Sequence, residues 1–124
     1  MSIQVEIDPH NRLVRAWLID DFDFDLIISA INDSVNHPGF ERGFNVISDH
    51  RGLRNYIAAR DMKFMSQHLA KLSHVMAGAK WAVVTGSPIS MGQIEILKLY
   101  LKSVPIELSL FEDMREAENW VVCS

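Results

Sequence analysis

The stretch from Lys80 to Val122 most constrains what this chain can fold into. A short apolar run, Trp81-Ala82-Val83-Val84, stops at Thr85-Gly86-Ser87-Pro88, and an apolar-rich segment then runs from Ile89 to Val104. An alternating run from Ile106 to Phe111 leads into Glu112-Asp113-Met114-Arg115-Glu116-Ala117 and Trp120. The pattern predicts strand, helix, strand, helix, with the two strands parallel because a helix-length crossover separates them. Trp81 to Val84 is apolar on both faces, which suits a central strand. Ser87 has the character of a helix cap, with Pro88 at the first helical position, where its missing N–H costs nothing. Ile94, Leu97, Leu101 and Val104 form the core stripe of that helix. In the last strand Ile106, Leu108 and Leu110 face one way and Glu107, Ser109 and Phe111 the other, which suits an edge strand or a thinly covered face. Asp113 and Glu116 have capping-box spacing, and Met114, Ala117 and Val121 bind the final helix to the sheet.

The first half of the chain supplies the rest of the sheet. Ile3, Val5 and Ile7 alternate with polar residues, and the turn formers Asp8-Pro9-His10-Asn11 join them to a second strand, Leu13 to Ile19, as an antiparallel hairpin. Only Arg15 interrupts the second strand, which places it inside the sheet. The acidic cluster Asp20-Asp21-Phe22-Asp23-Phe24-Asp25 precedes a helix whose stripe is Phe24, Ile27, Ile28, Ile31 and Val35. Several carboxylates together suggest either a divalent-cation site or a capped helix start, and the second reading is the simpler. Phe44 to Ser48 reads as the third strand. A helix follows from Asp61 to Ala79, with Asp61 as cap, Gly78 in its last turn, and Met65, Leu69, Leu72 and Met76 along one face. His68 and His74 fall on different faces of that helix and make no metal pair.

Composition bounds the class. A chain of 124 residues that is 48% hydrophobic has the size and apolar content of one domain spanning 1–124. The single cysteine, Cys123, rules out an internal disulfide framework and fits a reducing compartment. The formal net charge of −4 argues against nucleic-acid binding. The N-terminus has no signal-peptide pattern, and no apolar run is long enough for membrane insertion. The expectation is a cytoplasmic protein with no metal and no cofactor.

The order of hairpin, helix, strand, helix, strand, helix, strand, helix resembles the STAS domain and its anti-sigma-factor-antagonist (SpoIIAA-like) relatives. The tail carries most of the resemblance: Trp81-Ala82-Val83-Val84, Pro88 and Gly92, Ile106-Glu107-Leu108-Ser109-Leu110-Phe111, and Glu116-Ala117-Glu118-Asn119-Trp120-Val121. These are similar to the ending of small bacterial STAS-like proteins of unassigned function, and Asp49-His50-Arg51 matches their third-strand ending. The resemblance implies a single α/β domain: a five-stranded mixed sheet, antiparallel in the N-terminal hairpin and parallel thereafter, with about four helices. Those antagonists carry a phosphorylatable serine after the third strand. Here Asp49-His50-Arg51-Gly52-Leu53-Arg54-Asn55-Tyr56 holds no serine or threonine, so the phospho-switch does not carry over.

No nucleophile elbow, Walker loop, dinucleotide fingerprint or paired-histidine motif is present, and the sequence points away from catalysis. Ligands of open α/β sheets gather beyond the strand carboxyl ends. That places a candidate site for an anionic or lipid ligand at Asp49, His50 and Arg51 with Thr85, Gly86 and Ser87. The competing reading is that Ser87 merely caps and Asp49 pairs with Arg51. Asp49 and His50, adjacent in a strand, point to opposite sides and do not cooperate. On the helix from Ile89 to Val104, Met91, Ile96, Leu99 and Tyr100 widen the apolar surface and suggest a protein partner or a homodimer. The expected function is first a non-enzymatic regulatory or interaction module, second a small-molecule sensor or carrier, and third a hydrolase-like enzyme using His50. Cys123, without a flanking base, is assigned no role.

Overall fold

The computed structural model describes residues 1–55 and 57–122. Among them the chain forms β1 (Ser2–Asp8), β2 (Leu13–Asp20), α1 (Phe24–Val35), β3 (Asn45–Leu53), α2 (Ala59–Lys71), α3 (Ser73–Met76), β4 (Ala79–Val84), α4 (Pro88–Tyr100), β5 (Ile106–Phe111) and α5 (Met114–Val122). The five strands form one sheet in the order β1-β2-β3-β4-β5. β1 and β2 are antiparallel, and every later pairing is parallel. This is the mixed α/β sheet that the sequence predicts, with β1 and β5 at its edges and β2 and β4 inside. Tyr56 and Cys123 lie outside the described residues.

Two apolar layers clamp the sheet. One face carries Leu18, Val83 and Leu108, packed against Ile27 of α1, Met62, Met65 and Leu69 of α2, and Ile94 and Leu97 of α4. The other carries Leu13, Ile47, Ala82 and Val84 under Ala117 and Val121 of α5. One helix therefore covers a whole face, and the polar contacts of that helix fix its place. Asn45 donates to the Val121 carbonyl at 2.6 Å and accepts from the Lys80 amide at 2.8 Å. Arg15, the residue that interrupts β2, pairs with Glu118 at 2.8 Å.

Helix ends follow local chemistry. The Asp23 carboxylate accepts from the Leu26 amide at 3.2 Å, Ser87 from the Ser90 amide at 3.3 Å, and Asp113 from the Arg115 and Glu116 amides at 2.7 and 3.3 Å. The acidic cluster is thus a helix start. No group of three or more acidic, His or Cys side chains among the described residues is disposed to hold a metal ion. No helix among them is long and apolar enough to cross a membrane.

The expected single helix from Asp61 to Ala79 is corrected. α2 begins at Ala59, ahead of Asp61, and its N-cap, Ala58, makes no side-chain bond. It tightens at Leu72, whose amide bonds back three residues to Leu69, while the Ser73 hydroxyl bonds the Ala70 carbonyl. α3 then adds one turn. Gly78, at φ +82°, swings the chain into β4, and its amide donates to Pro105 at 2.9 Å. Ala79 already pairs with Ile106, so a helix running to Ala79 would remove the first rung of the β4–β5 ladder. α4 likewise ends at Tyr100, although its stripe continues into the turn through Leu101 and Val104, both buried.

Leu97 is buried and Leu99, two residues on, is 62% exposed. Leu97→Ala is expected to lower stability by about 2–5 kcal/mol in urea unfolding, and Leu99→Ala to change it by less than about 0.5 kcal/mol. Equal losses would contradict this placement of α4.

Candidate functional site

β3 is longer than the sequence suggests, and the site grows from that difference. The predicted strand ends at Ser48, whereas the observed one continues through Asp49, His50, Arg51 and Gly52 to Leu53. Pairing with β4 stops at Asp49 opposite Val84, but β2 continues the ladder through Ile19 opposite Gly52 and Asp20 opposite Leu53, after a register shift between Trp17 and Ile19. Gly52 permits this close passage, because a Cβ there would sit 3.0 Å from the Leu18 carbonyl oxygen. Ser48-Asp49-His50-Arg51 is therefore strand, with the alternation of a strand.

That alternation separates the predicted residues. Asp49 and Arg51 point toward the α5 side, where the Arg51 guanidinium grips the Asp49 carboxylate at 3.0 and 2.8 Å and the Arg51 amide adds a third bond at 3.0 Å. Partial burial would raise the Asp49 pKa, but these three bonds outweigh it and hold the carboxyl below its usual value. Ser48 and His50 point the other way. His50 is buried, with Nε2 at 2.9 Å from the Ser48 hydroxyl, and Trp81 Nε1 donates to the same hydroxyl at 2.8 Å. Trp81 takes one of the two lone pairs of the hydroxyl oxygen, and His50 Nε2 shares the same group.

Two cavities meet at His50. The first is an apolar chamber of about 110 Å³ between the sheet and helices α1 and α2. Ala16 and Val46 line it from the sheet, Ala30 and Ile31 from α1, and Met62 and Met65 from α2, with Ser48, His50 and Trp81 beneath them and almost no polar atom exposed to the space. Val5 of the edge strand also lines it and is 40% exposed, so the chamber reaches the surface between β1 and α1. The second is a polar crevice of about 270 Å³ beyond the carboxyl ends of β3 and β4. It brings together five of the six predicted residues, His50, Arg51, Thr85, Gly86 and Ser87, with Leu53, Asn55 and Ser90. Asp49, turned to the opposite side by the pleat, does not line it.

Burial pushes the His50 pKa down to about 4, against a smaller opposing pull from Asp49. Ser48 and His50 are close enough for a nucleophile and its base, and burial weakens the imidazole as a base. Among the described residues no hydrogen bond joins His50 to a carboxylate, so no third group orients it. The pair lies beneath the apolar chamber, its polar atoms turned to each other and to Trp81.

Sequence reasoning missed the chamber and Ser48 with it. The available signal was the meeting of small and flexible side chains: Ala16 and Ala30 face Met62, Met65 and Met76. Only the packing of α1 and α2 on one sheet face brings these five positions together.

No family model matches the chain, and no curated protein matches it. Among solved structures it superposes on an uncharacterized protein of the DUF3478 family with a SpoIIAA-like fold from Shewanella loihica PV-4. The TM-score is 0.65 at 14% identity, over 97% of this chain and 92% of that one. The chain is thus an α/β protein with a SpoIIAA-like fold, as the tail motifs imply. At this identity the likeness carries the fold alone.

The neutral His50 gives the fold an acid weakness. Its folded pKa lies below the unfolded value of 6.5, so its contribution is present above pH 6.5 and is lost as the pH falls toward 4. The loss amounts to about 3 kcal/mol. The urea midpoint should fall across this window, and in His50→Gln that part of the slope should vanish. An unchanged slope in the variant would contradict a buried neutral imidazole.

Proposed function

We propose that this protein is a non-enzymatic binding module, a sensor or carrier whose small apolar ligand occupies the chamber between the sheet and helices α1 and α2. The observation that carries this reading is the chamber of about 110 Å³, whose lining is almost wholly apolar. A void of this size costs free energy where a filled core would not, and binding a ligand returns the lost contacts. Apolar cavities of this order stay dry and take small hydrocarbons. Methionines suit a wall that must adapt to a guest, because their unbranched side chains repack easily.

Three of the six methionines, Met62, Met65 and Met76, line this chamber. Titration with neutral 1-octanol should shift their ε-methyl NMR signals and leave those of Met91 and Met114 in place. Ala16→Leu should fill the void, abolish the shifts, and stabilise the fold by about 1 kcal/mol. Unmoved chamber methyls across a panel of small apolar compounds would remove this reading.

A second reading has its own observation. Ile89, Ile96, Leu99 and Tyr100 of α4 are exposed at spacings that place them on one stripe, opposite buried Ile94 and Leu97. Met91, half-buried, falls outside this stripe by helical spacing. The stripe supports a self-association or partner surface on α4, the regulatory role first expected. Ile96→Glu with Leu99→Glu should turn a dimer into a monomer in sedimentation equilibrium without lowering the melting temperature. A wild-type chain that is monomeric up to high concentration would leave a homodimer without support.

A further inference from the structure

The polar crevice at the ends of β3 and β4 carries a prospect separate from the apolar chamber. α4 begins there with thirteen residues of helix, Ser87 at its cap and Pro88 at its first position. Its positive end therefore faces the crevice. A helix start alone is commonplace, but this one has a buried polar neighbour. Thr85 is 1% exposed, and its hydroxyl makes no hydrogen bond among the described residues. No side-chain polar atom among those residues is both sealed from solvent and unbonded, so the Thr85 oxygen opens onto the crevice that Thr85 lines. Its backbone is engaged, the amide donating to Phe111 at 2.9 Å. The hydroxyl is what remains unused.

The surroundings favour negative charge. The Gly86 and Ser87 amides make no hydrogen bond among the described residues, and both residues line the crevice. A Cβ on Gly86 would meet no atom within 4 Å, so the space before it is open. Arg51 lines the rim, although its guanidinium turns toward the α5 side and is paired there with Asp49. Among the described residues no carboxylate lines the crevice, although the chain has 16 acidic residues against 12 basic ones.

We infer that this crevice is an oxyanion site, taking a phosphate or carboxylate on the Thr85 hydroxyl and the Gly86 and Ser87 amides, with Arg51 at its rim. The oxyanion is either free or the headgroup of an amphiphile. His50 forms a wall common to the crevice and the chamber, so one ligand could engage both, yet the site stands without the chamber.

The test is an amide NMR titration of the whole chain with inorganic phosphate and, separately, with octyl phosphate. The wild type should show saturable shifts at Gly86, Ser87 and Ile89. Thr85→Val, which keeps the buried volume, should weaken binding roughly ten- to one-hundred-fold, and Thr85→Ser should restore it. Gly86→Ala should fold and also weaken binding, by crowding the open space. Saturation by phosphate itself identifies a free oxyanion, and saturation by octyl phosphate alone identifies a headgroup. Absence of binding by both, or affinities that neither Thr85→Val nor Gly86→Ala changes, overturns the inference. Neutral 1-octanol at the chamber methionines reports on the chamber independently, so either reading can fail while the other holds.

Discussion

Parallel pairing between β3 and β4 ends at Asp49 and Val84, while β3 continues to Leu53 on β2 alone. This mismatch of strand lengths organises the functional end of the molecule. A sheet whose strands ended together would present a flat edge, with loops closing over it. Here His50 to Leu53 stand as a wall on one side of a gap, and the turn from Thr85 to Ser87 stands on the other. The start of α4 closes the third side. The close passage of Gly52 against the Leu18 carbonyl lets the wall stay bonded to β2. A Cβ there would force the Leu18 backbone to give by a few tenths of an ångström.

The same wall bounds the apolar chamber, and the two cavities differ in energetic character. The chamber removes packing from the core, and a void of about 110 Å³ costs about 3 kcal/mol by the cavity scaling of core substitutions. A sequence selected for stability alone would place larger residues than Ala16 and Ala30 against it. Beneath it a neutral imidazole has to stay buried. Satisfying its Nε2 with Ser48, and Ser48 with Trp81, leaves an ordered chain of donors rather than orphaned groups.

Much of the architecture was legible. The alternation in β1 and β5, the two-faced apolar run in β4, Pro88 after Ser87, and the stripes of α1 and α4 each follow from periodicity or capping. The crevice residues were reachable as well, because strand carboxyl ends are where open sheets bind. Two boundaries were not. α2 stops at Lys71 although an apolar stripe continues to Met76, because Ala79 is needed to pair with Ile106. β3 outruns its apolar run because a ladder with β2 holds polar residues in extended form as readily as apolar ones. Neither partner is adjacent in sequence.

By itself the sequence determined the order of elements, the parallel hand-over from β4 to β5, and which residues face inward. These rest on local propensity and on a period that each segment carries within itself. Only the tertiary structure decided that Asp49 and His50 serve different faces, that Ser48 joins His50 to Trp81, and that Ala16, Ala30 and three methionines enclose a space. Volume left empty between elements is a property of their packing, and no single segment encodes it.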